Sequence, residues 1–143
     1  MISPLFPTIE HHALCLTFSN ELLELTCELL KSSEIKTSSI ITINCRSPSY
    51  SAESGGYRPQ ELAFKVLSEK SLLPLYVTEF TYVGGGYCPE LVKALDFDFT
   101  SSVFQNEYGT APLESMDELF QIWQQNFLSY FALGVYEVSI SAC

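Results

Sequence analysis

The chain has 143 residues, of which 47% are hydrophobic, 13% aromatic and 17% charged. This length suits a single domain that buries about two-thirds of the surface exposed by its unfolded chain, and the apolar content excludes intrinsic disorder. No apolar run approaches the roughly 18 residues of a membrane-spanning helix, so we expect no membrane partner.

The charge is strongly negative and unevenly distributed. Residues 1–71 hold eight acidic and six basic residues, whereas residues 72–143 hold nine acidic residues and Lys93 as the only basic one. The net charge of −10 repels phosphate backbones, so direct binding of nucleic acid is not expected. An acidic surface can instead attract a basic partner, imitate the charge of a nucleic acid, or only keep the protein dissolved.

The N-terminus and the cysteines indicate the cytoplasm. Residues 1–7 include two prolines and lack the basic and apolar regions of a signal peptide. The five cysteines are widely spaced, without a CxxC or a Cys/His pattern, so neither a disulfide framework nor a zinc site is predicted. We expect no cofactor and no metal.

The first half of the chain predicts an arm, a helix and three strands. Residues 1–17 are expected to form an irregular arm, and residues 18–143 a single domain. Apolar residues at helical spacing predict a helix from Asn20 to Lys31, capped by Ser19 or Asn20. Alternating or β-branched patterns predict strands over residues 39–45, 61–66 and 73–83.

After the three consecutive glycines at positions 84–86, the pattern changes. Residues 89–95 are expected to form a short helix with Pro89 at its first position. The alternation of residues 95–99 then predicts a strand, which is expected to continue towards Phe104.

The last helix is the best-marked element. Ser115 and Glu118 have the spacing of a capping box, an apolar stripe follows, and Gly134 can end the helix before a strand over residues 135–140. The strands are joined by short links that exclude parallel crossovers. The sequence therefore predicts an α+β fold, a twisted antiparallel β-sheet with an N-terminal and a C-terminal helix packed on one face.

The loop of residues 46–59 is the first candidate site, because it is long for a link between neighbouring strands. It carries five side chains that could together bind a polar ligand or a peptide; they are Arg46, Tyr50, Glu53, Tyr57 and Arg58. Alternatively, Glu53 pairs with an arginine and holds the loop on its own sheet.

The glycines Gly84, Gly85 and Gly86 are the second candidate, since they join a strand to a predicted helix. A phosphate-binding loop would continue with Lys and Ser or Thr, which are missing, so a tight turn with positive φ angles is the alternative. Cys88 stands at the predicted helix start, but thiolate catalysis needs a base, and the histidines lie in the arm. We expect no catalytic residue.

Asp96 and Asp98 share one face of their predicted strand, about 7 Å apart. Such a pair suits a metal or acid–base chemistry, although a solvated strand face gives the same pattern, and no third ligand is evident. With Glu107 these residues define a predicted acidic face that would steer a basic partner.

Five stretches resemble a bacterial domain-of-unknown-function family found in Vibrio and related bacteria, often on genomic islands. They are residues 44–59 (NCRSPSYSAESGGYRP), 80–87 (FTYVGGGY), 95–99 (LDFDF), 118–127 (ELFQIWQQNF) and 134–136 (GVY). The resemblance extends over residues 18 to 141. This chain departs from the family pattern near Ser47, where an aspartate is usual, and near Cys88, where a small residue or proline is usual.

The resemblance implies a fold similar to that of the acidic mitochondrial matrix protein that also binds complement C1q. That protein forms a ring-shaped trimer, so the resemblance also implies that a homo-oligomer is to be considered. The family has no established activity, and fold alone does not fix function. We expect a protein-interaction module, with a small-ligand binder or enzyme using the loop of residues 46–59, or a nucleic-acid mimic, as the alternatives.

Overall fold

The computed structural model describes residues 8–9, 16–31, 36–68, 71–84 and 88–143. Within them, a mostly antiparallel sheet and two α-helices form an α+β fold, as predicted. The elements in chain order are β1 (Thr8–Ile9), α1 (Asn20–Leu30), β2 (Ile40–Arg46), β3 (Gln60–Ser68), β4 (Ser71–Val83), β5 (Glu90–Asp98), β6 (Val103–Asn106), β7 (Gly109–Pro112), a 3₁₀-helix (Leu113–Met116), α2 (Asp117–Ala132) and β8 (Glu137–Ala142).

The strands lie side by side in the order β7-β6-β5-β4-β3-β2-β8. All neighbours on this path are antiparallel, and β8 returns from the end of the chain to pair with β2. β1 pairs with β4 in parallel, although it lies in the predicted irregular arm. Residues 1–7 and 10–15 of that arm, with His11 and His12, lie outside the described residues.

The register of the strands creates one apolar face. Directly opposed residues on five successive strands are all buried; they are Ile43, Leu62, Val77, Phe97 and Phe104. Because side chains alternate along a strand, this row places one apolar residue of each strand on the same side of the sheet.

Helix α2 packs on this apolar face through its aromatic residues. The ring centroid of Phe120 lies 5.0 Å from that of Phe97 on β5, and the ring of Trp123 stacks on Phe120 at 5.7 Å. Phe120 and Trp123 are both buried. Pairs at this spacing are typical of aromatic cores.

Helix α1 joins the same core and is tied to α2 by hydrogen bonds. Leu22 and Leu30 are fully buried in it. Ser19 is the N-cap, as predicted, with its Oγ accepting from the backbone amide of Leu22 at 3.1 Å. The buried amide of Gln124 on α2 accepts from the Ser19 amide at 2.7 Å and donates to the carbonyl of Thr17 at 2.8 Å.

The predicted helix over residues 89–95 is wrong, because Glu90–Asp98 is the strand β5. Its backbone pairs with β4 from Val83 opposite Glu90 to Tyr76 opposite Asp98, and this pairing outweighs the local preference of a short segment. The predicted strand beyond Phe99 also ends early. Asp98 accepts hydrogen bonds from the amides of Thr100 and Ser101, which turns the chain into β6.

The predicted capping box is wrong as well. The Ser115 hydroxyl donates to the carbonyl of Pro112 at 2.7 Å within the 3₁₀-helix, so it does not cap α2. Helix α2 begins at Asp117, two residues after Ser115, and its N-cap residue Met116 makes no side-chain hydrogen bond to the helix. Its predicted end is confirmed, since Gly134 has a φ of +75° just beyond the helix.

The aromatic contact between α2 and the sheet predicts a large difference between two neighbouring substitutions. Phe120→Ala removes a fully buried ring and should lower the free energy of unfolding by about 3–5 kcal/mol. Ile122→Ala, on the exposed side of the same helix, should lower the free energy of unfolding by less than about 0.5 kcal/mol. Urea unfolding followed by circular dichroism measures both, and equal losses would contradict this packing.

Candidate functional site

A groove with a volume of about 630 Å³ lies between α2, the end of the loop of residues 46–59, and strands β3 to β5. Its aromatic and apolar wall consists of Leu95, Leu119, Ile122, Trp123, Phe127 and Tyr130. Ile122 is the exposed member of this wall, at 54%. The volume falls within the usual range of ligand pockets, about 300–1,000 Å³.

A chain of hydrogen bonds connects the helix to the polar part of the groove. The indole nitrogen of Trp123 donates to Oε1 of Gln60 at 2.9 Å, and Nε2 of Gln60 donates to Oε1 of Glu79 at 2.9 Å. The other carboxylate oxygen of Glu79 accepts from Nη1 of Arg58 at 3.2 Å. Gln60 is buried and therefore fixes the carboxylate of Glu79 in place.

Tyr57 and Arg58 are the two predicted loop residues that reach the groove. The ring of Tyr57 meets that of Tyr130 edge to face, with centroids 4.9 Å apart. Arg58 pairs with Glu79, so an arginine does hold the loop to its sheet, but through Glu79 rather than through Glu53.

Arg46, Tyr50 and Glu53 do not line the groove, so the five predicted loop residues do not form one pocket. Arg46 donates from Nε to the Asn44 side chain at 3.1 Å, and Glu53 is exposed. The ring of Tyr50 stacks on Tyr82 at 5.4 Å, and its hydroxyl accepts from the Tyr82 amide at 3.2 Å. Tyr50 thus anchors the loop to the end of β4.

The glycine segment carries a turn at its first position. Gly84 has a φ of +78°, in the region that favours glycine, while Gly85 and Gly86 lie outside the described residues. Cys88 is exposed and precedes a strand, so the helix start predicted beside it does not exist.

The three residues of the predicted acidic face have different surroundings. Asp96 is 6% exposed, accepts from the Thr78 hydroxyl at 2.8 Å and pairs with Lys93 at 3.5 Å. Asp98 shapes the turn after β5. Glu107 is exposed at the turn between β6 and β7. Two of the three carboxylates are therefore occupied by hydrogen bonds within the chain.

The face of the sheet opposite the apolar row carries a polar network. Glu61 accepts from the Tyr76 hydroxyl at 2.6 Å and from the Asn44 amide at 3.2 Å. Burial, followed by this bond to Glu61, raises the pKa of Tyr76 to about 12. The phenol is therefore protonated at neutral pH and serves as a hydrogen-bond donor.

Two further groups beside the core are kept neutral. Burial raises the pKa of the Cys45 thiol to about 12. Burial, and next the electrostatic effect of Cys45 and Glu79, also raise the pKa of Tyr136. Its hydroxyl is buried near Gln60 but makes no hydrogen bond of good geometry within the described part of the chain.

The described residues contain no cluster of three or more His, Cys, Asp or Glu side chains that could hold a metal ion. None of their helices is both long enough and apolar enough to cross a membrane.

Sequence reasoning missed Gln60 and Glu79, which form the polar centre of the groove. The sequence offers one indication of such residues. Trp123 is predicted to be buried on the apolar stripe of its helix, and a buried indole N–H needs a hydrogen-bond acceptor. The identity of that acceptor depends on the strand register and on the placement of α2, neither of which a residue pattern gives.

The different surroundings of the cysteines predict selective labelling by iodoacetamide. At pH 8, a thiol with a pKa of about 12 has roughly a thousandth of the thiolate of an ordinary one, so Cys45 should stay unmodified in the folded protein. Cys143 is exposed and should react within minutes. Mass spectrometry of tryptic peptides measures both, and comparable rates at the two sites would contradict the burial of Cys45.

Comparison with known proteins places these features in a family. Two solved Vibrio cholerae structures are similar to this chain. The hypothetical protein VC1805 of pathogenicity island VPI-2 is 32% identical, with a TM-score of 0.80 over 94% of this chain and 100% of that one. It is described as sharing structural homology with the human P32 protein.

The hypothetical protein VC0508 of the VSP-II pathogenicity island is 35% identical, with a TM-score of 0.77 over 89% of this chain and 95% of that one. No curated protein matches the chain significantly. Residues 19–141 match the family described as "Protein of unknown function (DUF2787)". This agrees with the resemblance seen in the sequence, and the chain belongs to that family.

Proposed function

We propose that this protein is a cytoplasmic interaction module that binds a basic segment of a partner protein. The observation that carries the proposal is the groove beside α2, which presents an exposed Ile122 and aromatic walls in the acidic half of the chain. Protein interfaces commonly combine an apolar centre with a charged rim, where complementary charge steers the partner.

We infer that both helices cover the same face of the sheet, since residues of α1 and α2 share one apolar core with it. The groove then opens at one margin of the helical layer. Along α2, the exposed residues Glu118, Ile122 and Asn126 follow one another at intervals of four and form one stripe. A partner segment lying in the groove would meet this stripe first.

Exposed carboxylates in the second half of the chain supply the steering charge. Glu107, Glu114 and Glu118 are all exposed, whereas Asp96 and Asp98 have structural roles. The first three are therefore the residues to neutralise, since none of them makes a side-chain hydrogen bond like those of Asp96 and Asp98 within the described residues.

The test measures the binding of a fluorescent peptide of alternating arginine and leucine residues by anisotropy, in 50 and 300 mM NaCl. The triple change of Glu107, Glu114 and Glu118 to Gln should weaken binding about tenfold at low salt, taking about 0.5 kcal/mol per exposed charge. It should also flatten the dependence on salt.

The matched control changes Glu21, Glu24 and Glu28 to Gln. These three residues are also exposed but lie on α1, in the less acidic half, where Glu28 pairs with Lys31 at 2.9 Å. The affinity of the control variant should fall less than about threefold at low salt, because none of its three changed residues lines the groove. Equal losses in both variants, or binding that does not change with salt, would contradict the proposal.

A further inference from the structure

The polar centre of the groove is a carboxylate that is held rigidly on one side only. Oε1 of Glu79 accepts from the buried Gln60, which Trp123 holds in turn. Within the described part of the chain, Oε2 accepts one hydrogen bond, from Nη1 of Arg58. A carboxylate can accept about four hydrogen bonds, so Glu79 retains the capacity to bind a further donor.

Arg58 is the exposed member of this ion pair. Its side chain is 48% exposed, compared with 18% for Glu79. The contact joins one guanidinium nitrogen to one oxygen at 3.2 Å, whereas strong arginine–carboxylate pairs are bidentate and shorter. The carboxylate is therefore the fixed part of the groove, and the cation is the replaceable part.

The walls beside Glu79 suit a flat cation. Tyr57 and Tyr130 lie next to each other on the groove, and Phe127 and the exposed Ile122 continue the apolar wall. A guanidinium group is planar, weakly hydrated and packs on aromatic rings, which a compact ammonium group does less well. At about 630 Å³ the groove also has room for an apolar side chain next to the cation.

We propose that this groove binds an arginine side chain of a partner segment, with Glu79 as its carboxylate and an adjacent apolar residue on the wall at Ile122. The chain's own Arg58 occupies the same carboxylate and competes with the incoming arginine. This assignment rests on the proposed function, because it names the part of a basic segment that the groove selects.

The test uses N-acetyl-leucyl-arginine amide as the probe and the fluorescence of Trp123, the only tryptophan of the chain, as the signal. Arg58→Gln should bind the probe about threefold more tightly than Arg46→Gln does, since both variants lose one positive charge and only Arg58 contacts Glu79. The comparison with Arg46 removes the general effect of net charge.

Glu79→Gln should weaken binding of the probe at least about tenfold, because the charged acceptor is lost while an amide can still bond to Gln60. Glu61→Gln is the matched control, since Glu61 lies outside the groove and should leave binding unchanged. N-acetyl-leucyl-lysine amide should bind the unmodified protein about fivefold more weakly than the arginine probe. Circular dichroism verifies that each variant is folded.

Equal affinities of the Arg58 and Arg46 variants, retained binding by Glu79→Gln, or equal binding of the lysine probe would each overturn the assignment. If the longer basic peptide still binds with salt dependence while Glu79→Gln has no effect, the assignment fails and the proposed function stands. If neither probe binds the unmodified protein, both fail.

Discussion

The hydrogen bond from the indole of Trp123 to Gln60 connects the two layers of this protein. A buried N–H without an acceptor costs about 1–3 kcal/mol, so α2 is stable on the sheet only where that acceptor lies. Gln60 stands at the first position of β3 and satisfies Trp123 while holding Glu79 on β4. Aromatic packing provides affinity between the layers, and this directional bond sets the position of the helix along the sheet.

A second buried amide does the same for α1. Gln124, one residue after Trp123, binds the backbone immediately before α1, at Thr17 and Ser19. The two neighbouring residues of α2 therefore bind different elements: Trp123 binds the sheet, and Gln124 binds the segment that leads into α1. Trp123 and Gln60 both line the groove, so its shape depends on the bond between them.

The sequence predicts the elements that are governed by local patterns. The helix beginning after Ser19, the helical stripe around Trp123 and the turn at Gly134 follow from spacing, capping and glycine chemistry. For residues 89–95, local patterns predict the wrong element. Their helical signal is local, but their backbone pairs with β4, and only the assembled sheet provides that partner.

The candidate site shows the same division. Tyr57 and Arg58 were predicted from loop length and composition, and both reach the groove. Glu79 reads in the sequence as an ordinary residue of an alternating strand. Its role depends on the register that places Gln60 opposite it and on the helix above, so no pattern within β4 could identify it.

The groove and the uneven charge together suggest how this protein could recognise a partner. In the proposed function, the acidic second half attracts a basic partner over a distance, while the carboxylate of Glu79, on a groove lined by aromatic side chains, selects one side chain at contact. In this proposal the exposed carboxylates attract the partner and Glu79 selects the side chain, so each property can be changed by its own substitutions.

Hydrogen exchange of the Trp123 indole N–H, followed by NMR, tests the connection between the layers most directly. The chain has one tryptophan, so one side-chain indole signal is expected. This N–H should exchange as slowly as the most protected strand amides, and Gln60→Leu should accelerate it at least about tenfold, while Gln105→Leu at an exposed strand position should not. Rapid exchange in the unmodified protein, or exchange unaffected by Gln60→Leu, would contradict the account.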